Sequence, residues 1–133
     1  MDATALVALP KPVRIGPHRW RFAWFSPSPA APSDAAPYAP APASRQNSDE
    51  DAWGWCSYGD HLIQLHPELA LRPSLFAEVL WHEVGHAINH IYGVKDGQDE
   101  EDFTTQAARG WLQVFRDNRH FFSYISRLTR ASR

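Results

Sequence analysis

Eleven prolines stand in 133 residues, and six of them fall between Ser26 and Ala52, in SPSPAAPSDAAPYAPAPASRQNSDEDA. Proline fixes φ and removes a backbone donor, so neither a helix nor a central strand is expected through such a stretch. The sequence therefore divides three ways. An N-terminal segment and first strand occupy 1–25, a Pro/Ala-rich flexible insertion or linker occupies 26–52, and a core with a basic C-terminal helix and tail occupies 53–133. The length suits one domain. At 44% hydrophobic residues, such a chain buries a core without disulfide staples. Its single cysteine, Cys56, excludes both an internal disulfide framework and a thiolate zinc cluster.

Two further exclusions come from charge and hydropathy. Thirteen Lys+Arg against fifteen Asp+Glu give a net charge of −2, which argues against a chain that lives on nucleic-acid phosphates. No apolar run reaches the ~18 residues of a membrane span. The short apolar patch Ala5 to Leu9 is preceded by Asp2 rather than by basic residues, so no signal peptide is read. With the lone cysteine, this predicts a reducing, cytoplasmic setting.

Hydrophobic periodicity places the elements. In VRIGPHRWRFAWF (13–25), Trp20, Phe22 and Trp24 share one face and Arg21 and Ala23 the other, the pattern of a strand. A turn at Gly59-Asp60 leads to a short strand, HLIQL (61–65), whose neighbour is the 53–58 run or the first strand, antiparallel. Residues 74–92 follow helical spacing through Leu75, Phe76, Val79, Leu80, Val84, Ala87, Ile88 and Ile91. Pro73 suits the first turn of that helix and Gly93 its end. A second helix fits about 100–116 and ends at Asp117-Asn118; a third fits 120–130. The fold class expected is α+β, a small antiparallel sheet packed on about three helices.

The chemistry-bearing motif is His82-Glu83-Val84-Gly85-His86, inside the first helix. Two His at i and i+4 stand one turn apart on the same face. Both imidazoles then reach one zinc at about 2.0–2.1 Å. The Glu between them can take a proton from a metal-bound water and pass it to a leaving amine. The motif thus supplies two ligands, His82 and His86, and a general base, Glu83, of a hydrolytic zinc site. The plainer alternative is two surface histidines on an amphipathic helix.

A tetrahedral ion needs a further protein ligand. His90 extends the row, but residues eight apart on a helix are separated by about 12 Å of rise, so it is assigned either to a supporting role beside the ligands or to solvent. Glu100 and Glu101, opening the next helix, are better placed, because a helix turning back after a short loop brings its first turn beside the His pair. Ala107 and Ala108 let that helix press close. The bland reading of the two glutamates is a favourable charge at a helix N-terminus.

The run from Ala70 to Phe122 resembles the small gluzincin-type metallopeptidase domains of phages, prophages and bacteria, the minigluzincins and ImmA/IrrE-like proteins. The matching pieces are His82-Glu83-xx-His86, Glu100-Glu101 and Arg116-Asp117-Asn118. The resemblance spans roughly 53–125. It implies a zincin-like fold, with zinc held by His82, His86 and Glu101 (second choice Glu100) and with Glu83 as general base. It implies that HLIQL is the edge strand lining the cleft and pairing with extended substrate. It also implies a cytoplasmic enzyme of a bacterium or phage-infected host that hydrolyses a peptide or protein. The motif pattern names no electrophile; Tyr92, Tyr124 and His120 are the candidates. A zincin fold that binds zinc or a partner protein without cleaving is the alternative. The arginines between 109 and 133 read as a solvated helix face, and Cys56 as a small buried residue.

Overall fold

The structure, a computed structural model, describes residues 8–26, 38–40, 53–95 and 97–131. It is an α+β arrangement of a small mixed sheet and three helices. The strands are β1 (Val13–Ile15), β2 (His18–Ser26), β3 (Tyr38–Pro40), β4 (Gly54–Ser57) and β5 (Leu62–Leu65). The helices are α1 (Pro73–Ile91), α2 (Glu100–Asp117) and α3 (Arg119–Ala131). A 3₁₀ turn, Pro67–Leu71, joins β5 to α1. Among the described residues no helix is long and apolar enough to cross a membrane.

The run 13–25, read as one strand, is a hairpin. Gly16 at φ +60° and Pro17 make a two-residue turn, and Ile15 faces His18 across it. A glycine at the first central position is what such a turn demands. The alternation beyond it holds: Trp20, Phe22 and Trp24 are buried while Arg21 is exposed.

The sheet runs β1-β2-β5-β4, with β3 also on β2. It is mixed, not antiparallel: β2 pairs parallel with β5 (Phe22 opposite Ile63) and parallel with β3 (Trp24 opposite Tyr38). Parallel neighbours need a long crossover, and the chain from Ser26 to Leu62 provides one. HLIQL is correspondingly not the edge strand. Leu62–Leu65 lies between β2 and β4, and β4, antiparallel to it, forms the edge.

The insertion read over 26–52 contains strand as well. Ser26 ends β2, and Tyr38–Pro40 pairs with Trp24–Ser26. Proline is compatible with this because β3 is a three-residue edge strand, where a missing donor costs little. The rest of that insertion lies outside the described residues. β2 and β5, on either side of it in sequence, belong to one sheet.

The three helices form where the periodicity places them. Pro73 sits in the first turn of α1, and Gly93 follows its end at φ +74°. Asp99 caps α2, its carboxylate accepting from the Glu101 N–H at 2.7 Å. The core joins Trp20, Trp24, Ile63 and Leu65 of the sheet to Phe76, Leu80, Val84 and Ile88 of α1, with Val114 and Phe121 from α2 and α3. Each large side chain so buried contributes about 1.5–3 kcal/mol.

Candidate metal centre

The packing of α1 decides what its motif presents. Val84, Ala87 and Ile88 are buried in the core, whereas His82 and His86 face outward and are exposed. Glu83, on the sheet side, is buried at 6% exposure. His82, Glu83 and His86 each offer a ligand atom, and these atoms all lie within 4.8 Å of one another. The two Nε2 atoms are 3.0 Å apart, with the rings edge to face. Two ligands on one tetrahedral ion at about 2.0–2.1 Å would stand ~3.3 Å apart, so the imidazoles need little movement to share one ion. Without an ion, one ring donates to the other.

Protonation favours the same use. Partial burial, with His82 second, lowers the pKa of His86 from its ordinary value. At neutral pH its ring is therefore held in the uncharged form that can ligate.

Glu83 is fixed from the sheet. A Cβ on Gly54 would stand 2.8 Å from the Glu83 Cγ and 3.0 Å from its Oε2. Only a glycine at this point of β4 lets the carboxylate side chain lie against the edge strand. Cys56, two residues on and on the same face, also feels Glu83. Its thiol is pushed up to about 12, by burial first and by the Glu83 charge second. The Tyr58 hydroxyl is raised by burial, then by Cys56 and Glu83, and its ring stacks on His90 at 4.3 Å. Gly54, Cys56 and Tyr58 thus line the Glu83 side of the site, and the motif reading found none of them. The available signal was the glycine inside the WGWCS strand, which marks a close approach.

Other expected participants are placed elsewhere. Glu100 and Glu101 are exposed in the first turn of α2, and neither belongs to the His82–Glu83–His86 group. Tyr92 donates its hydroxyl to Gln113 at 2.9 Å. The Tyr124 hydroxyl donates to the Ala8 carbonyl at 2.6 Å, and the His120 Nε2 lies 3.0 Å from the Pro12 carbonyl. These three side chains tie helices to one another or to the N-terminal segment. His90 is exposed against Tyr58.

The chain matches no protein-family model, no curated protein and no solved structure. The functional reading therefore rests on the geometry of the group itself. That group can hold a metal ion between two outward imidazoles, with one buried carboxylate beside them.

Proposed function

We propose that the chain is a zinc-dependent peptide hydrolase of the zincin type. The observation that carries this reading is the set His82, Glu83 and His86: two exposed ring nitrogens 3.0 Å apart and a carboxylate held by the edge strand. Two imidazoles suit zinc among the available divalent ions. Bound there, zinc would lower the pKa of a water and polarise a scissile carbonyl.

The protein's own groups perform the proton transfers. The Glu83 carboxylate takes a proton from the attacking water and returns it to the departing amine. Its burial against Gly54 limits its rotamers, so it acts from one position. β4, the edge strand beside it, is the strand to which an extended peptide would add, its backbone groups aligning the scissile bond with the metal group.

A second reading keeps the metal and drops the reaction. Neither Glu100 nor Glu101 joins the His pair, and Tyr92, Tyr124 and His120 are engaged elsewhere. A site short of a ligand and an electrophile would bind zinc and a partner without cleaving. Metal analysis of the purified protein and one substitution separate the readings. Stoichiometric zinc that disappears in His82→Ala supports both, and its absence from the wild type removes both. Glu83→Gln keeps the metal and abolishes cleavage of a peptide library if the chain is a hydrolase. A wild type that holds zinc and cleaves nothing leaves the binding reading.

A further inference from the structure

A concave surface lies along α3. Its wall is one helical stripe, Arg119, Phe122, Ser123, Ser126, Arg127 and Arg130, and Phe115 of α2 closes it. The groove has a volume of about 510 Å³, enough for one or two side chains. Its opposite stripe, Phe121 and Leu128, is buried in the core, so α3 is anchored and the groove face is presented outward.

Two properties of this face are uncompensated. The first is charge. Arg116 of α2 pairs with Asp117 at 3.7 Å, and α3 carries no acidic residue. Among the described residues no carboxylate pairs with Arg119, Arg127 or Arg130. Two of them are held in place: Arg130 donates to the Ser126 hydroxyl at 3.2 Å, and the Arg127 guanidinium lies over the Tyr124 ring at 5.7 Å. The second property is apolar exposure. Phe115 is 52% exposed and packs edge to face on Phe122 at 5.2 Å. The aromatic wall continues from Phe122 to Trp81 (5.8 Å) and from Trp81 to Trp111 (4.6 Å, stacked).

We propose that this groove docks an acidic peptide segment carrying a large apolar side chain. The apolar side chain seats on Phe115 and Phe122, and flanking carboxylates pair with Arg119, Arg127 and Arg130. Guanidinium suits carboxylate through parallel hydrogen bonds, and arginine with aromatics is the composition of binding hot spots. Arg119 and Arg130 are eleven positions apart, about 16 Å along the helix, which an extended peptide of roughly five residues spans. A polyphosphate partner fits less well. The chain carries a net charge of −2, and the first turn of α2 is wholly acidic. The aromatic wall passes through Trp81, the residue before His82, so a chain docked in the groove can continue toward the metal group. Binding itself needs neither metal nor hydrolysis.

The test uses the full chain and a fluorescein-labelled pentapeptide, Asp-Glu-Phe-Glu-Asp, followed by anisotropy. Its comparisons are the amide isostere Asn-Gln-Phe-Gln-Asn, the Phe-to-Ala peptide and a single-stranded oligonucleotide. The acidic peptide is expected to bind at least tenfold more tightly than either altered peptide and to weaken with salt. The double substitution Arg127→Gln with Arg130→Gln, on an exposed face, should remove that preference while circular dichroism stays unchanged. His82→Ala should leave peptide binding intact, which separates this inference from the metal reading. Equal binding of the amide peptide, tighter binding of the oligonucleotide, or no binding at millimolar peptide overturns the proposal. So does a dimer, seen by sedimentation, that the double substitution dissolves, because a second copy then fills the groove.

Discussion

Two polar clusters flank the helices, and they differ in where their side chains are directed, inward to the backbone or outward to solvent. The first joins the β1–β2 hairpin to the end of α2. The Asn118 side-chain amide accepts from the Arg14 N–H at 2.6 Å and donates to the Arg14 carbonyl at 2.7 Å and the Val114 carbonyl at 3.0 Å. Gln113 accepts from the Gly16 N–H and the Tyr92 hydroxyl, and donates to the Arg14 carbonyl and the Asp117 carboxylate. Both amides are buried, and their donors and acceptors are met within the protein. The second cluster is His82, Glu83 and His86; its two imidazoles are exposed, and their Nε2 atoms meet each other at 3.0 Å. A saturated network has no capacity left for a ligand and serves the fold. An outward pair of imidazoles contributes little to the fold and keeps its valence for an ion. Both clusters contain titratable or amide side chains on or at the ends of helices, so composition does not distinguish them; the direction they face does.

The comparison can be broken by substitution, and stability orders the outcomes. Asn118→Leu should cost the most, about 2–3 kcal/mol, because the Arg14 N–H loses its acceptor where water is scarce. Urea denaturation should show this loss while any metal binding at the other cluster is retained; a loss below about 0.5 kcal/mol would mean the network is not structural. Gly54→Ala should cost about 1–3 kcal/mol, since the new Cβ meets Glu83 and one of the two must move. Its more telling effect is chemical: if the chain is the hydrolase proposed, cleavage should fall well below wild type with metal content unchanged. Unaltered activity would show that the position of Glu83 does not matter.

A smaller effect is expected at alkaline pH. Burial raises Cys56 and Tyr124 to about 12 each, from ordinary values of 9.0 and 10.0. The folded state thus keeps protons that the unfolded chain releases. Stability is complete below about pH 8.5 and declines as pH rises toward 12. Cys56→Ala should flatten the early part of that decline in melting curves, and a thiol reagent at pH 7.5 should leave folded Cys56 unmodified. The smallest change in stability belongs to His86→Ala. The ring is exposed, so unfolding free energy without metal should move by no more than about 0.5 kcal/mol. Metal binding should be lost nonetheless. A large destabilisation of the metal-free protein would place His86 with the structural network and erase the contrast.

Local periodicity alone determined the three helices, the pairing of His82 with His86 one turn apart, and the buried face Trp20, Phe22 and Trp24. These follow from 3.6 residues per helical turn and two per strand repeat, which any short window of sequence contains. Loop chemistry carries a weaker signal: Gly16-Pro17 cuts 13–25 into a hairpin, and Tyr38–Pro40 becomes an edge strand within the proline-rich stretch. The sheet order was beyond local reading. Whether Leu62–Leu65 or Gly54–Ser57 lies at the edge depends on partners far apart in the chain, and so does the parallel pairing of β2 with β5. For the same reason, only the tertiary structure set Gly54 against Glu83, engaged Tyr92, Tyr124 and His120 in holding the fold, and put Phe115 beside the arginines of α3. The motif determines which atoms are one turn apart. Packing decides which of them face solvent, and that exposure is what leaves a site able to bind.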